Sequence, residues 1–284
     1  MRFRFILAEK ANYPVAVMCR VLCVTRSGFY AWAKRKPSKR ARKDRAALVR
    51  IRAIHRAHRR RYGSPRIYRE LRKGPHALGR HRIARLMRLD GLTARAKRRF
   101  RVAYDSAATK RISPNRLRRE FSVGQPNRVW LGDITYLHTA SGWIFLSCFL
   151  DLHSRCIVGW SVSSTLEARA TCNALQRAVR ERRPGQNLLV HSDRGVQYAG
   201  EEFQRLLRQL GFVGSMSRKG NCWDNAPMES FFATLKRELA LPSMLTAREV
   251  ERLIGEYIDY YNHVRLHSAL DYMTPNAYEE SVAA

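Results

Sequence analysis

The apolar positions change period along the chain. Through roughly the first hundred residues they recur at helical spacing, and beyond Val123 they fall into short strand-length runs separated by turns. Val15 to Leu22 reads as a short apolar helix. Cys23 and Val24 turn the chain, and Thr25 is placed to cap a second helix through Phe29, Tyr30 and Trp32. Residues 1–36 therefore read as a small helix-turn-helix-like unit, with the basic residue Arg26 at the start of its second helix. Residues 37–100 repeat the idea after the break at Pro37-Ser38. Leu48, Ile51 and Ile54 mark a helix over Ala46 to His58. Ser64-Pro65 reads as a cap followed by proline, opening Arg66 to Lys73, and Gly74-Pro75 ends it. Arg80 to Leu89 turns Ile83, Leu86 and Met87 inward and Arg80, Arg82, Arg85 and Arg88 outward, with Gly91 as its stop.

The second half reads differently. Val129 to His138, Trp143 to Asp151 and Cys156 to Val162 are strands joined by tight turns, an antiparallel meander. Leu166 to Arg182 is an amphipathic helix, Leu188 to His191 a short buried strand, and Glu201 to Leu210 a helix. Phe212 to Met216 is a strand and Asn225 to Leu239 a helix. Val250 to His263 adds a last helix, followed by an extended tail through Pro275. That order defines an α/β fold, a ribonuclease-H-like core, preceded by basic all-α helix-turn-helix DNA-binding units. The expected division is 1–36, 37–100, a basic linker at 101–122, the core at 123–240, and a C-terminal helix and tail at 241–284 packed on the core.

Charge sharpens this picture. The net charge is +31, and residues 1–120 carry 37 of the 54 Lys and Arg against 6 of the 23 acids. The remaining 164 residues are balanced, with 17 of each. A field concentrated in one segment points to a polyanion, and phosphates neutralised by Lys and Arg are the usual cause. Arg26, Arg66, Arg80, Arg82, Arg98 and Arg99 are candidate DNA contacts there. The basic stretch over residues 95–119 reads as a linker that lies on phosphates when DNA is present and is mobile otherwise. No run reaches the ~20 apolar residues of a membrane span, and the apolar patch at the N-terminus is too short for a signal peptide. The six cysteines form no C-x-x-C pair, which fits reduced thiols and a cytoplasmic, nucleoid-associated location. Cys19, Cys23, His55 and His58 invite a zinc site, but their order and spacing argue against one.

Three carboxylates carry the candidate chemistry. Asp133 sits mid-strand in Trp-Leu-Gly-Asp-Ile-Thr-Tyr, Asp193 follows a strand in His-Ser-Asp-Arg-Gly, and Glu229 lies in the last core helix. A charge inside an apolar strand is costly unless it is paired or holds a metal. Hard oxygen ligands suit Mg²⁺ or Mn²⁺, and two such ions about 4 Å apart can activate an attacking oxygen and stabilise a leaving one. Between Asp133 and Asp193 lie 59 residues, and between Asp193 and Glu229 lie 35. Lys236 follows Glu229 by seven, on the same helical face.

This spacing resembles the signature of DDE transposases and retroviral integrases. The words Trp-Leu-Gly-Asp-Ile-Thr-Tyr, Asp-Leu-His-Ser-Arg, His-Ser-Asp-Arg-Gly-Val-Gln-Tyr, Asn-Cys-Trp-Asp-Asn-Ala-Pro-Met-Glu-Ser-Phe-Phe and Tyr-Tyr-Asn-His-Val-Arg-Leu-His-Ser-Ala-Leu resemble bacterial insertion-sequence transposases of the IS-three family, downstream-frame type, over nearly the whole chain. The resemblance implies that Asp133, Asp193 and Glu229 hold two metal ions per site and that Lys236 contacts DNA beside the scissile phosphate. It implies nicking at a transposon end to expose a 3′-OH, then strand transfer. No protein nucleophile is needed. Expected partners are the terminal inverted repeats and target DNA, a homodimer or larger assembly on DNA, and the upstream-frame product joined by frameshifting.

Other residues carry weaker expectations. Asp151 is a turn cap or a fourth ligand. Asp224 and Asn225 precede the Glu229 helix as caps, with Asn225 also a candidate DNA contact. His191 and Arg194 flank Asp193 and are candidates to touch the scissile phosphate. Tyr257, Tyr260, Tyr261, Arg265 and His267 pack the last helix, with Arg265 a candidate DNA contact. The rival functions are a non-catalytic DNA-binding regulator, which leaves the triad unexplained, a nuclease of the same fold, which does not require the basic arm, and a decayed transposase, which the intact triad opposes.

Overall fold

A computed structural model describes residues 1–284 apart from 75–77, 96–111, 219–220, 243 and 284. Arg98, Arg99 and the first half of the expected linker lie outside the described residues. The chain divides into two compact units, 1–93 and 94–284.

The first unit is helical. Helices α1 (Arg2–Glu9), α2 (Val15–Val21) and α3 (Arg26–Lys34) meet around Ile6, Met18, Cys19 and Phe29, with Phe3 and Trp32 against them. Helix α1 was not foreseen. Its buried contribution is essentially Ile6, too little to stand out as a periodic stripe. Thr25 caps α3 by accepting a bond from the Gly28 N–H at 3.1 Å.

Helix α4 (Lys39–Ala57) begins seven residues earlier than its apolar pattern suggests. Ser38 caps it through the Ala41 N–H, and the intervening Lys, Arg and Ala are strong helix formers with no apolar signal to show. Helix α5 (Ser64–Arg72) has Gly63 at its cap, so Ser64 lies inside the helix rather than capping it. Helix α6 (Arg80–Leu89) ends before Gly91, whose φ of +66° only glycine adopts freely. In the expected outward set on α6, Arg82 and Arg85 are tied to the two oxygens of Asp44 on α4 at 2.7 and 2.6 Å, Arg82 partly buried and Arg85 still 42% exposed. Arg80 and Arg88 remain exposed.

The second unit is built on a five-stranded sheet: β1 (Val129–Thr139), β2 (Gly142–Asp151), β3 (Ile157–Ser163), β4 (Leu189–Ser192) and β5 (Val213–Met216). The order is β3-β2-β1-β4-β5. The first three pair antiparallel, and β4 and β5 add in parallel. Alternation along the central strands divides the core in two. Leu131, Cys148 and Leu150 face α10 (Ala226–Leu239) and α11 (Ala247–His263), through Phe231, Leu235, Ile254 and Tyr257. Trp130, Phe149 and Val158 face α7 (Ala168–Arg182), α8 (Val196–Ala199) and α9 (Glu201–Gln209), through Leu175, Tyr198 and Phe203. Both faces of β1 and β2 are therefore buried, as their continuous apolar runs require.

Two expectations are corrected here. The tail past Pro275 is a helix, α12 (Pro275–Ala283). Thr274 caps it by accepting from the Ala277 N–H, and Glu279 fastens it to Arg182 with two bonds of 2.7 Å. The described half of the 101–122 linker is docked rather than loose. Leu117 is buried in the core, and the Arg116 N–H donates to Ser215 Oγ at 2.9 Å. Among the described residues no helix is long and apolar enough to cross a membrane.

Strand β3 lies hard against α7 at Gly159. A Cβ there would sit 2.3 Å from the Ala174 carbonyl oxygen and 2.6 Å from Ala178 Cβ, and backbone cannot yield as a flexible side chain does. Gly159→Ala is expected to destabilise the second unit by about 1–3 kcal/mol, read as a lower midpoint in urea. An unchanged midpoint would mean that α7 does not pack as described.

Candidate active site

Parallel pairing of β1 with β4 sets the site. Leu131 is level with His191, so two residues further on Asp133 comes level with Asp193, just past the end of β4. Each carboxylate is held locally. Asp133 Oδ1 accepts from the Ile134 N–H at 2.8 Å, and Asp193 Oδ1 accepts from the Gly195 N–H at 2.9 Å. A Cβ on Gly195 would stand 2.9 Å from that same oxygen, so glycine lets the backbone close under the acid. Glu229 projects from the first turn of α10, which packs on β1, and its side chain is exposed.

Electrostatics ties these groups together. Burial holds the Asp133 carboxyl well above the ordinary carboxylate range, and the charges of Asp193 and Glu229 push it further, while Lys236 pulls it down. Burial also raises Asp193 and Glu229. Burial lowers the Lys236 ammonium, opposed by the attraction of Asp133. Asp133 thus feels all three of the other residues in the spacing signature. Among the described residues no three His, Cys, Asp or Glu side chains are gathered into a set that could hold one cation. The donor chemistry is nonetheless that of a hard divalent cation, since all three groups are carboxylates.

A further carboxylate, expected only as a cap, organises the approach to α10. Asp224 is fully buried at the 3₁₀ turn Cys222–Asn225. Arg218 donates to it from its backbone N–H, Nε and Nη2 at 2.8–3.0 Å, Arg119 from Nε at 2.7 Å, and Asn115 from Nδ2 at 2.9 Å. Those bonds, Arg218 foremost, hold Asp224 far below the ordinary carboxylate range. Asn225 occupies the N-cap position of α10 but makes no side-chain capping bond, and Asp224 lies one residue before it. Asn225 is buried and donates from Nδ2 to the Gly132 carbonyl at 3.2 Å, immediately before Asp133, and its Oδ1 has no hydrogen-bond partner. Its burial is at odds with a direct DNA contact. In the sequence the stretch Asn-Cys-Trp-Asp-Asn pointed to a cap before the Glu229 helix and gave no sign of the distant partners of Asp224.

Several further candidates are resolved. His191 is fully buried between Ser215 Oγ and Ser217 Oγ, and burial lowers its pKa to about 4, so it is a neutral packing residue and not a phosphate contact. Arg194 is partly exposed and donates from Nε to the Ser217 carbonyl at 2.7 Å. Asp151 accepts from the Asn127 and His153 N–H groups and from Trp130 Nε1, which is the turn-capping role. Arg26 is exposed at the start of α3, and the Arg66 guanidinium lies 5.7 Å from the Tyr62 ring centre.

Arg265 is corrected outright. It is 3% exposed and grips Glu238 with two bonds of 2.9 Å, which leaves it nothing to offer DNA. Truncating one partner of such a pair strands a buried charge. Arg265→Ala is therefore expected to cost about 3–5 kcal/mol of folding stability, measured by chemical denaturation. A variant of wild-type stability that had lost only DNA affinity would restore the DNA-contact reading.

Comparison with known proteins agrees with this architecture. Two models described as integrase core domain match residues 124–222 and 211–275, and one described as HTH-like domain matches residues 41–100. The chain thus joins an integrase-type α/β core, ribonuclease-H-like, to a helix-turn-helix-like DNA-binding region. Transposase InsF for insertion sequence IS3A of Escherichia coli (strain K12) is 38% identical over 98% of both chains. The insertion element IS600 uncharacterized 31 kDa protein of Shigella sonnei is 39% identical over 93% of this chain and 97% of its own. The chain belongs to the IS3 family of insertion-sequence transposases. Among solved structures, the HTLV-2 integrase catalytic core domain in complex with magnesium aligns at 17% identity with a TM-score of 0.45, over 55% of this chain and 97% of that one. A simian T-cell lymphotropic virus intasome aligns at 17% identity and 0.46, over 58% and 56%.

Proposed function

We propose that this transposase nicks the ends of its insertion sequence to expose a 3′-OH and transfers that strand to DNA, with Asp133, Asp193 and Glu229 as metal-binding residues. The observation that carries the reading is the β1–β4 pairing, which brings Asp133 level with Asp193, with Glu229 and Lys236 on the helix packed against β1. Two Mg²⁺ or Mn²⁺ ions, when bound, would supply Lewis acidity to the attacking and leaving oxygens. The protein's own contribution is positional. The β1–β4 pairing and the Gly195 N–H orient the two aspartates, and α10 delivers Glu229. Lys236, two turns on, offers a cation to the scissile region. Arg194 beside Asp193 is a further candidate for phosphate contact, as are the exposed Arg26 and Arg80, and Arg66. The acting form is a dimer or larger assembly that pairs two terminal repeats with target DNA, carried in the frameshift fusion to the upstream-frame product.

The test uses a labelled duplex of the element's terminal repeat, Mg²⁺, and the chain alone and fused to the upstream-frame product. Glu229→Gln is expected to keep DNA binding and to lose nicking and strand transfer on the order of 10³-fold, several kcal/mol of metal-derived stabilisation. Nicking without transfer would favour a nuclease of the same fold. Binding with no cleavage in either form would favour a DNA-binding regulator.

The raised carboxylates add a pH dependence. Metal must displace protons from Asp133 and its neighbours, so the Mg²⁺ concentration for half-maximal cleavage should fall as pH rises. Without metal the sign is opposite for stability. The folded-state value of Asp133 lies above its unfolded one, so as pH rises the unfolded chain ionises first and stability declines across that window. Asp133→Asn should therefore raise the melting temperature in EDTA at neutral pH. A variant that melts lower would refute the buried-repulsion account.

A further inference from the structure

In the turn that leads into α10, polar side chains are fastened while Trp223 between them stays exposed. Asn221 Oδ1 accepts from Arg119 Nη2 at 2.8 Å. Asp224 takes Arg119, Arg218 and Asn115, and Asn225 reaches the Gly132 carbonyl. Trp223, in the middle of this turn, is 69% exposed. It lies six residues before Glu229, on a backbone that the Asp224 bonds hold in place.

The cations bonded to its sequence neighbours Asn221 and Asp224 are also preset. Asp224 and Asn221 use Nε and Nη2 of Arg119, and Asp224 uses Nε and Nη2 of Arg218. Each guanidinium keeps its Nη1 outside these bonds, and the two side chains stay 41% and 55% exposed. Guanidinium groups fixed by a buried carboxylate lose little freedom when they bind a phosphate. Bases and acids balance over residues 121–284, so within that stretch Arg218 is not part of a generally basic run, and Arg119 joins it from the end of the basic segment through their shared partner Asp224.

We propose that Trp223, Arg218 and Arg119 form a subsite for an unpaired nucleotide beside the cleaved phosphodiester, the indole stacking on its base and the arginines meeting its phosphates. This rests on the reading of the chain as an enzyme that cleaves DNA ends. A base inside a duplex has both faces covered, so only an extruded or frayed one can offer a face to the indole. An aromatic face beside a cationic track is the general chemistry of single-strand recognition. A purely apolar partner would leave two guanidinium groups unmatched at its edge.

The test separates the subsite from catalysis. The full chain carrying Glu229→Gln is bound to a duplex of its terminal repeat with 2-aminopurine placed, one position at a time, at the nucleotides flanking the cleaved bond. At one position, emission is expected to differ between Trp223 and Trp223→Ala complexes, with Trp223→Phe close to the parent. In the chain with Glu229 intact, Trp223→Ala should slow nicking of a paired end about tenfold with its melting temperature unchanged. A mismatch at that position, which removes the unpairing cost, should narrow the gap. Equal emission from all three residues at every position, or wild-type nicking by Trp223→Ala, would overturn the proposal. A chain that never nicks refutes the cleavage reading alone, because the emission comparison still decides the subsite.

Discussion

Like charges held close together repel, and low-dielectric surroundings make the repulsion worse. Asp133 meets both conditions, since it lies on the central strand of the sheet with Asp193 and Glu229 acting on it. Left to relax, the three carboxylates would separate. The surrounding fold works against that separation. The parallel β1–β4 pairing fixes two of them through backbone hydrogen bonds that respond little to side-chain charge. The third stands on α10, whose entry is tied to the sheet by Asn225 and to neighbouring segments by Asp224. On the function proposed above, a divalent cation bound at these carboxylates would neutralise that repulsion.

The Asp224 cluster shows how a single buried charge can coordinate distant segments. Its partners come from residues 115–119, ahead of the sheet, and from Arg218, just after β5. All of them converge five residues before Glu229. Buried ion pairs add little net stability, because desolvation offsets attraction, but they penalise any arrangement that leaves a charge unpaired. The Glu238–Arg265 pair follows the same logic at the other end of α10. The helix that carries Glu229 and Lys236 is thereby fixed at both ends by buried carboxylates, while its middle packs through Phe231 and Leu235.

The strands were legible because their signals are local, and the triad was proposed from a signal of the same kind. Apolar runs such as Trp143 to Leu150 have few readings, and a spacing of 59 and 35 residues between acids is counted directly from the sequence. What escaped depends on partners far away in the chain. Arg82 and Arg265 look like any surface arginine until Asp44 and Glu238 are brought beside them. His191 looks like a catalytic neighbour of Asp193 until Ser215 and Ser217 close on its ring. Helix α12 carried a local signal that was passed over, since Thr274-Pro275 is the same hydroxyl-then-proline start used at Ser64-Pro65. Helix α4 shows the opposite failure, where high helix propensity without apolar spacing left its first turns silent.

Charge is divided between the two halves of the chain in a way that matters for how DNA is handled. Residues 1–120 hold the whole excess, and the catalytic segment has none. Affinity that depends on counterion release must then come chiefly from the first segment, and it must weaken steeply with salt. The catalytic segment cannot rely on a broad positive surface to draw a phosphodiester toward three carboxylates that repel it. Its attraction has to be local and short-ranged, from the cations the triad would bind, from Lys236, and from arginines such as Arg218 already oriented by an internal partner. Separating grip from chemistry in this way lets the basic segment hold DNA without specifying which bond is cut. The choice of bond then falls to the few groups whose positions the sheet and α10 fix.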